Sequence, residues 1–222
     1  MNGLLLINKP IGISSFDVIR DLRRRTGFRK IGHAGTLDPL ASGLMLLLFG
    51  TACKQAMSLT KLDKRYVADI TLGATSSTGD NEGEKTAVSD RVPTREEVEA
   101  ALAKLTGEIT QTPPIYSAIK INGKEAYKRA RAGETVEIPS RQVVIHENKL
   151  IKYEYPRIEI ESHVSSGTYI RTLAEDLGGL LGTGAYLSGL VRTTVGPYSL
   201  TDALVLDEID SPAVAETHLR DI

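Results

Sequence analysis

The sequence predicts an α+β fold in which a mixed, mostly antiparallel sheet is flanked by helices. Apolar and polar residues alternate between Arg157 and Val164, as in a strand with one buried face. Thr94 and Glu97 form a capping box ahead of a window in which apolar residues recur at helical spacing. Strands and helices follow one another without a regular βαβ rhythm, which favours a largely antiparallel sheet.

The other elements are predicted in the same way from apolar periodicity and from turn residues. Further strands are expected at Leu4–Ile7, Arg65–Leu72 and Gln142–Leu150. Further helices are expected after a cap at Ser14 or Ser15, after a cap at Thr168, and over the basic stretch Lys124–Arg131. Leu44–Phe49 suits either a buried strand or a helix, Gly73–Gly83 is expected to be a loop, and Gly107 is expected to end the helix that Thr94 begins.

Composition narrows the class of protein. Apolar residues make up 41% of the 222 residues and charged residues 25%, which is ordinary for a globular protein. The formal net charge is −1, so a nucleic-acid partner would have to bind through local basic patches. Cys53 is the single cysteine, which excludes an intrachain disulfide. The chain has neither a signal peptide nor an apolar run of membrane-spanning length, so we expect a cytoplasmic protein.

Motifs for cofactors and metals are missing from the sequence. There is no phosphate-binding P-loop, no dinucleotide fingerprint and no His-Glu-x-x-His motif. The four histidines lack the spacing of metal ligands. We therefore expect an activity without cofactor or metal, carried by carboxylates, tyrosines, arginines or a lone histidine.

The most unusual stretch is Gly32–Gly43, which is rich in glycine and contains Asp38 followed by Pro39. Pro39 disfavours helical geometry at Asp38, and the flanking glycines allow sharp turns and close approach to a ligand. A carboxylate held on such a stiff loop suits catalysis. A structural alternative is that Asp38 caps a helix whose first residue is Pro39.

The same stretch closely resembles the motif Gly-His-x-Gly-x-Leu-Asp-Pro-x-Ala-x-Gly of the bacterial tRNA pseudouridine-55 synthases, the TruB family. Further matches occur in the order of the family, between about Gly3 and about Thr201. They are Asn8-Lys9-Pro10-x-Gly12, Lys64-Arg65-Tyr66, Pro113-x-x-Tyr116-Ser117-Ala118-x-Lys120, Gly167-Thr168-Tyr169-Ile170-Arg171 and Leu190-x-Arg192. The resemblance implies a pseudouridine synthase fold over residues 1–222, with an RNA-binding insertion at about 108–141.

The resemblance also implies which side chains carry the chemistry. Asp38 matches the essential carboxylate of the family, and Arg171 matches the arginine that keeps this carboxylate ionised. Tyr66 matches the tyrosine that stacks on the target base and acts in proton transfer. From the residues alone, spacing favours the surface of an amphipathic helix for Arg171, and ordinary core or edge packing in a strand for Tyr66.

The remaining site residues are expected to bind the RNA substrate. His33 matches the histidine that fills the stack when the target base is flipped out, and otherwise suits a turn. Tyr169 and Leu190 match positions that line the uracil pocket, and otherwise suit a core. Lys9, Lys120 and Arg192 belong to the matching motifs and are expected to bind substrate.

Two basic stretches, Arg20–Lys30 and Lys120–Arg131, are expected to contact phosphates, although a charge run also suits a solvated face. The second has Tyr116 and Tyr127 nearby, which suits stacking on unpaired bases. The chain departs from the family in two respects. Ser77 stands where the family commonly has aspartate, and Ile222 ends the sequence before a C-terminal PUA domain, so we expect a weaker grip on tRNA.

The sequence therefore predicts an enzyme that isomerises uridine to pseudouridine in the T loop of tRNA. The expected partner is the T-arm of tRNA, with no membrane and no obligate protein partner, and the protein is expected to be a monomer. Two alternatives stay open. The protein could be a chaperone that folds tRNA without chemistry, or a pseudouridine synthase that acts on another RNA.

Overall fold

The computed structural model of the chain describes residues 1–117, 119–121, 124–126, 129 and 138–222. Its strands are β1 Gly3–Lys9, β2 Ile31–His33, β3 Ala41–Phe49, β4 Lys64–Leu72, β5 Ala74–Ser76, β6 Lys85–Ala87, β7 Gly107–Gln111, β8 Lys120–Ile121, β9 Lys124–Glu125, β10 Arg141–Glu154, β11 Arg157–Val164, β12 Ala185–Val195, β13 Tyr198–Ser199 and β14 Leu204–Val205. Its α-helices are α1 Ser15–Thr26, α2 Ala56–Thr60, α3 Arg95–Lys104, α4 Ile170–Leu181 and α5 Pro212–Thr217. No helix within these described residues is long and apolar enough to cross a bilayer.

The chain divides into two compact units, Met1–Tyr66 with Leu190–Ile222, and Val67–Gly189. The first unit is built on strands in the order β14-β1-β3-β12, with β2 beside β3 and β13 beside β12. β1 and β3 are antiparallel, whereas β14 is parallel to β1 and β12 is parallel to β3. The segment that joins β1 to β3 contains α1 and β2, whereas β12 comes from a distant part of the sequence.

The core of the first unit is aliphatic on both faces of β1. Leu4 and Leu6 pack with Leu44, Leu46 and Leu48 of β3 in one cluster. The alternate residues of β1 are also almost fully buried, so this strand has no solvent face. That explains why β1 and β3 appear in the sequence as continuous apolar runs.

The second unit contains the strand order β4-β11-β10-β7 and the helices α3 and α4. β10 is antiparallel to both β11 and β7, and helix α3 contacts β10 and α4. In β11 the even-numbered residues from Ile158 to Val164 are buried and the odd-numbered residues are more exposed. This alternation gives the sheet one apolar face, on which a helix can pack.

Most of the predicted elements are confirmed. The α+β class and the mixed, mostly antiparallel sheet are confirmed, Leu44–Phe49 is a strand, and Ser14 caps α1. Thr94 closes a capping box with Glu97 at the start of α3, as the sequence predicted.

Three local predictions are wrong. Thr168 does not cap α4, because its hydroxyl donates to the carbonyl of Ser165 and Tyr169 takes the N-cap position. Gly107 begins β7 with φ +99°, two residues after the helix has closed at Leu105. Gly73–Gly83 contains a short strand, β5, which pairs with β6. In the expected basic helix Lys124–Arg131, Lys124–Glu125 is a strand, Ala126 and Arg129 are helical, and the other residues lie outside the described part of the chain.

The close approach of β3 and β12 requires glycine at Gly43. Its φ is +105°, and a Cβ added there would lie 2.4 Å from the carbonyl oxygen of Arg192. We expect Gly43→Ala to lower the free energy of unfolding by about 3 kcal/mol, because it combines backbone strain with overpacking. Gly107→Ala is the matched control, since Gly107 has φ +99° but nothing within 4 Å of the added Cβ. Equal losses in the two variants, measured by denaturant unfolding, would contradict the steric argument.

Candidate functional site

Asp38 lies on a loop between β2 and β3 that is fixed on both sides of the aspartate. The hydroxyl of Ser15 donates to the carbonyl oxygen of Leu37 at 2.9 Å and accepts from the backbone N–H of Leu37 at 2.8 Å. The backbone N–H of Gly12 donates to the carbonyl oxygen of Pro39 at 2.8 Å. Both sequence neighbours of Asp38 are therefore held by other elements of the first unit.

The structural alternative for Asp38, a helix N-cap, is wrong. Within the described stretch 31–49, the chain turns after Asp38 and continues into strand β3. The backbone N–H of Ala41 closes that turn on the carbonyl oxygen of Asp38 at 3.1 Å. The Asp38 side chain is half-buried. A carboxylate on a loop of this kind is held in place without serving as a helix cap.

Arg192 of β12 holds the same loop from within the unit. Its side chain is 1% exposed. Its Nε donates to the carbonyl oxygen of Leu44 at 2.7 Å, and its Nη2 donates to that of Gly35 at 3.2 Å. A longer contact of 3.5 Å joins Nη1 to the carbonyl oxygen of Thr36. A buried guanidinium needs such partners, and the backbone of the loop and of β3 supplies them.

Lys9, at the end of β1, is a second buried cation beside the loop. It is 0% exposed, and its ammonium donates to the carbonyl oxygens of Pro10 and Ile13 at 2.8 Å each. The pKa of Lys9 is lowered to about 8, chiefly by burial; the carboxylate of Asp38 opposes this shift, and the positive charge of Arg192 adds to it. The charge on Asp38 therefore acts on Lys9.

Two further titratable groups lie under the influence of Arg192. Lys64, at the start of β4, is 6% exposed and donates to the carbonyl oxygen of Thr60 at 2.7 Å. Burial and the charge of Arg192 lower the pKa of Lys64 to about 8. The same two causes lower the pKa of His33, so its imidazole is neutral at pH 7.

The first unit contains most of the predicted site residues. Tyr66 lies on β4 and is buried, and Leu190 lies on β12, where it pairs with Ala41 of β3. This unit holds Lys9, His33, Asp38, Tyr66, Leu190 and Arg192. The predicted pairing of Asp38 with Arg171 joins residues of different units and stays a prediction.

Arg171 belongs to the first turn of α4 in the second unit, and its side chain is 5% exposed. Its Nη2 donates to the carbonyl oxygen of Tyr116 at 2.7 Å, and its Nη1 donates to that of Thr78 at 3.3 Å. The carboxylate of Asp80, also 5% exposed, lies 3.4 Å from Nη1. Arg171 is thus a buried cation, and the alternative prediction that it lies on the surface of an amphipathic helix is wrong.

The sequence did not single out Asp80 as a site residue. Its carboxylate accepts from the hydroxyl of Thr78 at 2.5 Å and from the backbone N–H of Glu82 at 3.0 Å, besides its contact with Arg171. The only sequence signal was one acidic residue after Gly79 in a polar loop, which does not predict burial. Lys64 and Ser15 were likewise missed, because neither residue type indicates a loop anchor by itself.

The basic stretch Arg20–Lys30 is less available for RNA than its sequence suggests. Arg20 pairs with Asp17, and Arg24 pairs with Asp21. Arg25 bridges Asp21 and Asp207, while Arg23 donates to a backbone carbonyl. Arg29 and Lys30 are exposed. The prediction that this face contacts phosphates stays a prediction.

The second basic stretch, Lys120–Arg131, lies largely outside the described residues. Lys120 is in β8, its side chain is not described, and Tyr127 falls wholly outside the described part. Elsewhere in the second unit, His146 and His163 lie with ring centroids 4.7 Å apart. Two imidazoles supply half of the ligands of a tetrahedral metal site, so the pair alone does not indicate bound metal.

Family models match the chain over nearly its whole length. The "TruB family pseudouridylate synthase (N terminal domain)" model matches residues 23–170, and the "tRNA pseudouridylate synthase B C-terminal domain" model matches residues 171–222. The chain is 49% identical to "tRNA pseudouridine synthase B" of Cupriavidus metallidurans over 217 residues, which are 96% of this chain and 68% of that protein. It is 44% identical to the protein of that name in Geobacillus thermodenitrificans, and the match covers 98% of this chain and 74% of that protein.

Solved structures are similar as well. A chain of the "Crystal Structure of a Cbf5-Nop10-Gar1 Complex" matches with a TM-score of 0.75 and 27% identity. The match covers 94% of this chain and 54% of that one, so this chain spans about half of its length. Together, the loop that holds Asp38, the fold and these likenesses identify the group of enzymes concerned. The chain belongs to the TruB family of pseudouridylate synthases.

Proposed function

We propose that this protein isomerises uridine to pseudouridine in the T loop of tRNA, at position 55, with Asp38 as the catalytic carboxylate. The observation that carries the proposal is the fixed position of Asp38 between two anchored neighbours, Leu37 and Pro39, beside the buried cation Lys9. A catalytic group held in place before substrate arrives avoids much of the entropic cost of reaching a reactive geometry. The names of the relatives, tRNA pseudouridine synthase B, support tRNA as the substrate.

The reaction needs a carboxylate and no external reactant. The glycosidic bond between N1 and C1′ of the uridine breaks, the uracil turns, and C5 bonds to C1′. The proton on C5 is then lost, and N1 gains a proton, so the product is an isomer of the substrate. Attack on the base or on the sugar requires Asp38 to be ionised. Cationic side chains close to a carboxylate favour that state.

In this proposal, some of the other site residues act at the target uridine and one acts on the RNA that the uridine leaves. Tyr66 stacks on the target base and transfers a proton, Arg171 stabilises the ionised carboxylate, and Tyr169 and Leu190 line the uracil pocket. His33 fills the space that the flipped base leaves in the RNA stack, and extrusion of the base is needed because its reacting atoms are otherwise inaccessible.

Lys9 and Arg192 act through the loop in this proposal and not by direct contact with RNA. Both side chains are buried, and both direct their donors to backbone carbonyl oxygens. Donors that are already used in this way are poorly placed to bind phosphate. Lys120 and the other basic side chains of the 108–141 insertion remain the proposed contacts to the T-arm.

The test of the proposed function is release of tritium from tRNA that carries tritium at uridine C5. Asp38→Asn keeps the shape of the side chain but removes its charge. We expect single-turnover release to fall by about a thousandfold or more, with tRNA affinity nearly unchanged. Asp90→Asn, at an exposed site, is the matched control and should release tritium at the wild-type rate. Turnover by Asp38→Asn near the wild-type rate would rule out the assignment.

The charge of Asp38 can be tested without RNA. Because its carboxylate raises the pKa of Lys9, Asp38→Asn should shift the Lys9 pKa below its value of about 8. Side-chain NMR of the lysine during a pH titration measures this directly.

Asp63→Asn is the matched control for that titration. The Asp63 carboxylate raises the pKa of Lys64, so the variant should lower the pKa of Lys64 and leave that of Lys9 in place. A Lys9 pKa that does not respond to Asp38→Asn would contradict an electrostatic interaction between Asp38 and Lys9.

A further inference from the structure

We propose that Gln111 and Arg141 are positioning residues that fix Tyr169, and through it Arg171, for the reaction. The inference rests on the proposed function, which gives Tyr169 and Arg171 their roles at the uracil. Neither Gln111 nor Arg141 was singled out in the sequence. They are cross-strand partners at the ends of β7 and β10, and both contact the segment that leads into α4.

Gln111 binds both polar backbone groups of Tyr169. Its Oε1 accepts from the backbone N–H of Tyr169 at 3.0 Å, and its Nε2 donates to the carbonyl oxygen of Tyr169 at 3.3 Å. The side chain is 1% exposed. A buried primary amide must find partners, and here both of its ends find them on one residue. The N–H and the carbonyl of Tyr169 are therefore both hydrogen-bonded, as they would be to a neighbouring strand, and the backbone at Tyr169 is held in place.

The start of α4 needs such an anchor. Tyr169 is the N-cap residue, and its side chain makes no capping hydrogen bond. The hydroxyl of Thr168 is directed to the carbonyl oxygen of Ser165 and away from the helix. Without a side-chain cap, the first turn of a helix is prone to fraying. Gln111 therefore supplies from a neighbouring strand the restraint that the local sequence lacks.

Arg141 fixes the ring of the same tyrosine. Its guanidinium carbon lies 5.1 Å from the centre of the Tyr169 ring, within the range of a cation–π contact. Its Nη2 donates to the carbonyl oxygen of Gly167, which holds the guanidinium in place. Because Arg141 covers one face of the ring, a nucleobase that meets Tyr169 has to use its other face or its edge.

The restraint extends to Arg171 along the first turn of α4. The hydroxyl of Thr172 donates to the carbonyl oxygen of Thr112 at 3.3 Å, and Arg171 donates to that of Tyr116 at 2.7 Å. The chain from Gln111 to Tyr116 thus binds Tyr169, Arg171 and Thr172 at the start of α4. A shift at Gln111 would be transmitted to the guanidinium of Arg171, two residues beyond Tyr169.

The test compares Gln111→Met, which is similar in length but has no polar group, with Gln142→Met. Gln142 is the next residue after Arg141 and is exposed, and its amide donates to the hydroxyl of Thr110. We expect Gln111→Met to lower single-turnover tritium release by about tenfold or more while the tRNA dissociation constant stays within about threefold, because small misplacements cost rate before affinity. Gln142→Met should match the wild type.

A second variant and a second measurement keep the inference independent of folding and of activity. Arg141→Met removes the ring contact at a half-buried site and should also lower the rate constant. Amide hydrogen exchange at Tyr169 should be faster in Gln111→Met than in the wild type and unchanged in Gln142→Met.

The outcomes separate the two proposals. A folded Gln111→Met variant with the wild-type rate overturns the positioning role, while tritium release by the wild type and Gln142→Met leaves the proposed function standing. If the wild type releases no tritium, the proposed function fails, and amide exchange at Tyr169 then tests the positioning role of Gln111 by itself. Unchanged exchange in Gln111→Met overturns that role, and faster exchange supports it.

Discussion

The first unit depends on a row of three residues across three strands. Lys9 of β1 pairs with Gly43 of β3, which in turn pairs with Arg192 of β12. Only a residue without a Cβ lets β12 approach β3 so closely, and this approach places the Arg192 guanidinium under the loop of Asp38. Because a buried cation without partners is costly, the loop and the cation stabilise each other. Disturbing either one leaves polar groups of the other unsatisfied.

The second unit uses the same principle at Arg171. That guanidinium binds the backbone carbonyl oxygens of Thr78 and Tyr116, and the carboxylate of Asp80 supplies the opposite charge. In each unit a buried arginine therefore holds at least one segment that is irregular in structure. Loops of this kind would otherwise be mobile, because they have few backbone hydrogen bonds of their own. Arginine suits this role since its planar group presents several donors in fixed directions.

Sequence reasoning predicted the elements better than the contacts between them. Regular periodicity identified β11, and a capping box identified α3, because both signals are local. Thr168 was misjudged, since its hydroxyl has a competing local acceptor at Ser165. The candidate Asp38 was recognisable from its motif, whereas Gln111 was not, because its role arises only when β7 lies beside the start of α4. Such partners are set by tertiary structure and produce no periodic pattern in the sequence.

The arginines of α1 already have carboxylate partners, and this changes how RNA would bind there. A phosphate that approaches Arg20 or Arg24 has to displace Asp17 or Asp21 or share the guanidinium with it. Fewer condensed counterions are then set free per contact than for an unpaired arginine, because the local field of the protein is weaker. The ionic-strength dependence of a complex formed through this face would accordingly be shallower than a count of its basic residues suggests.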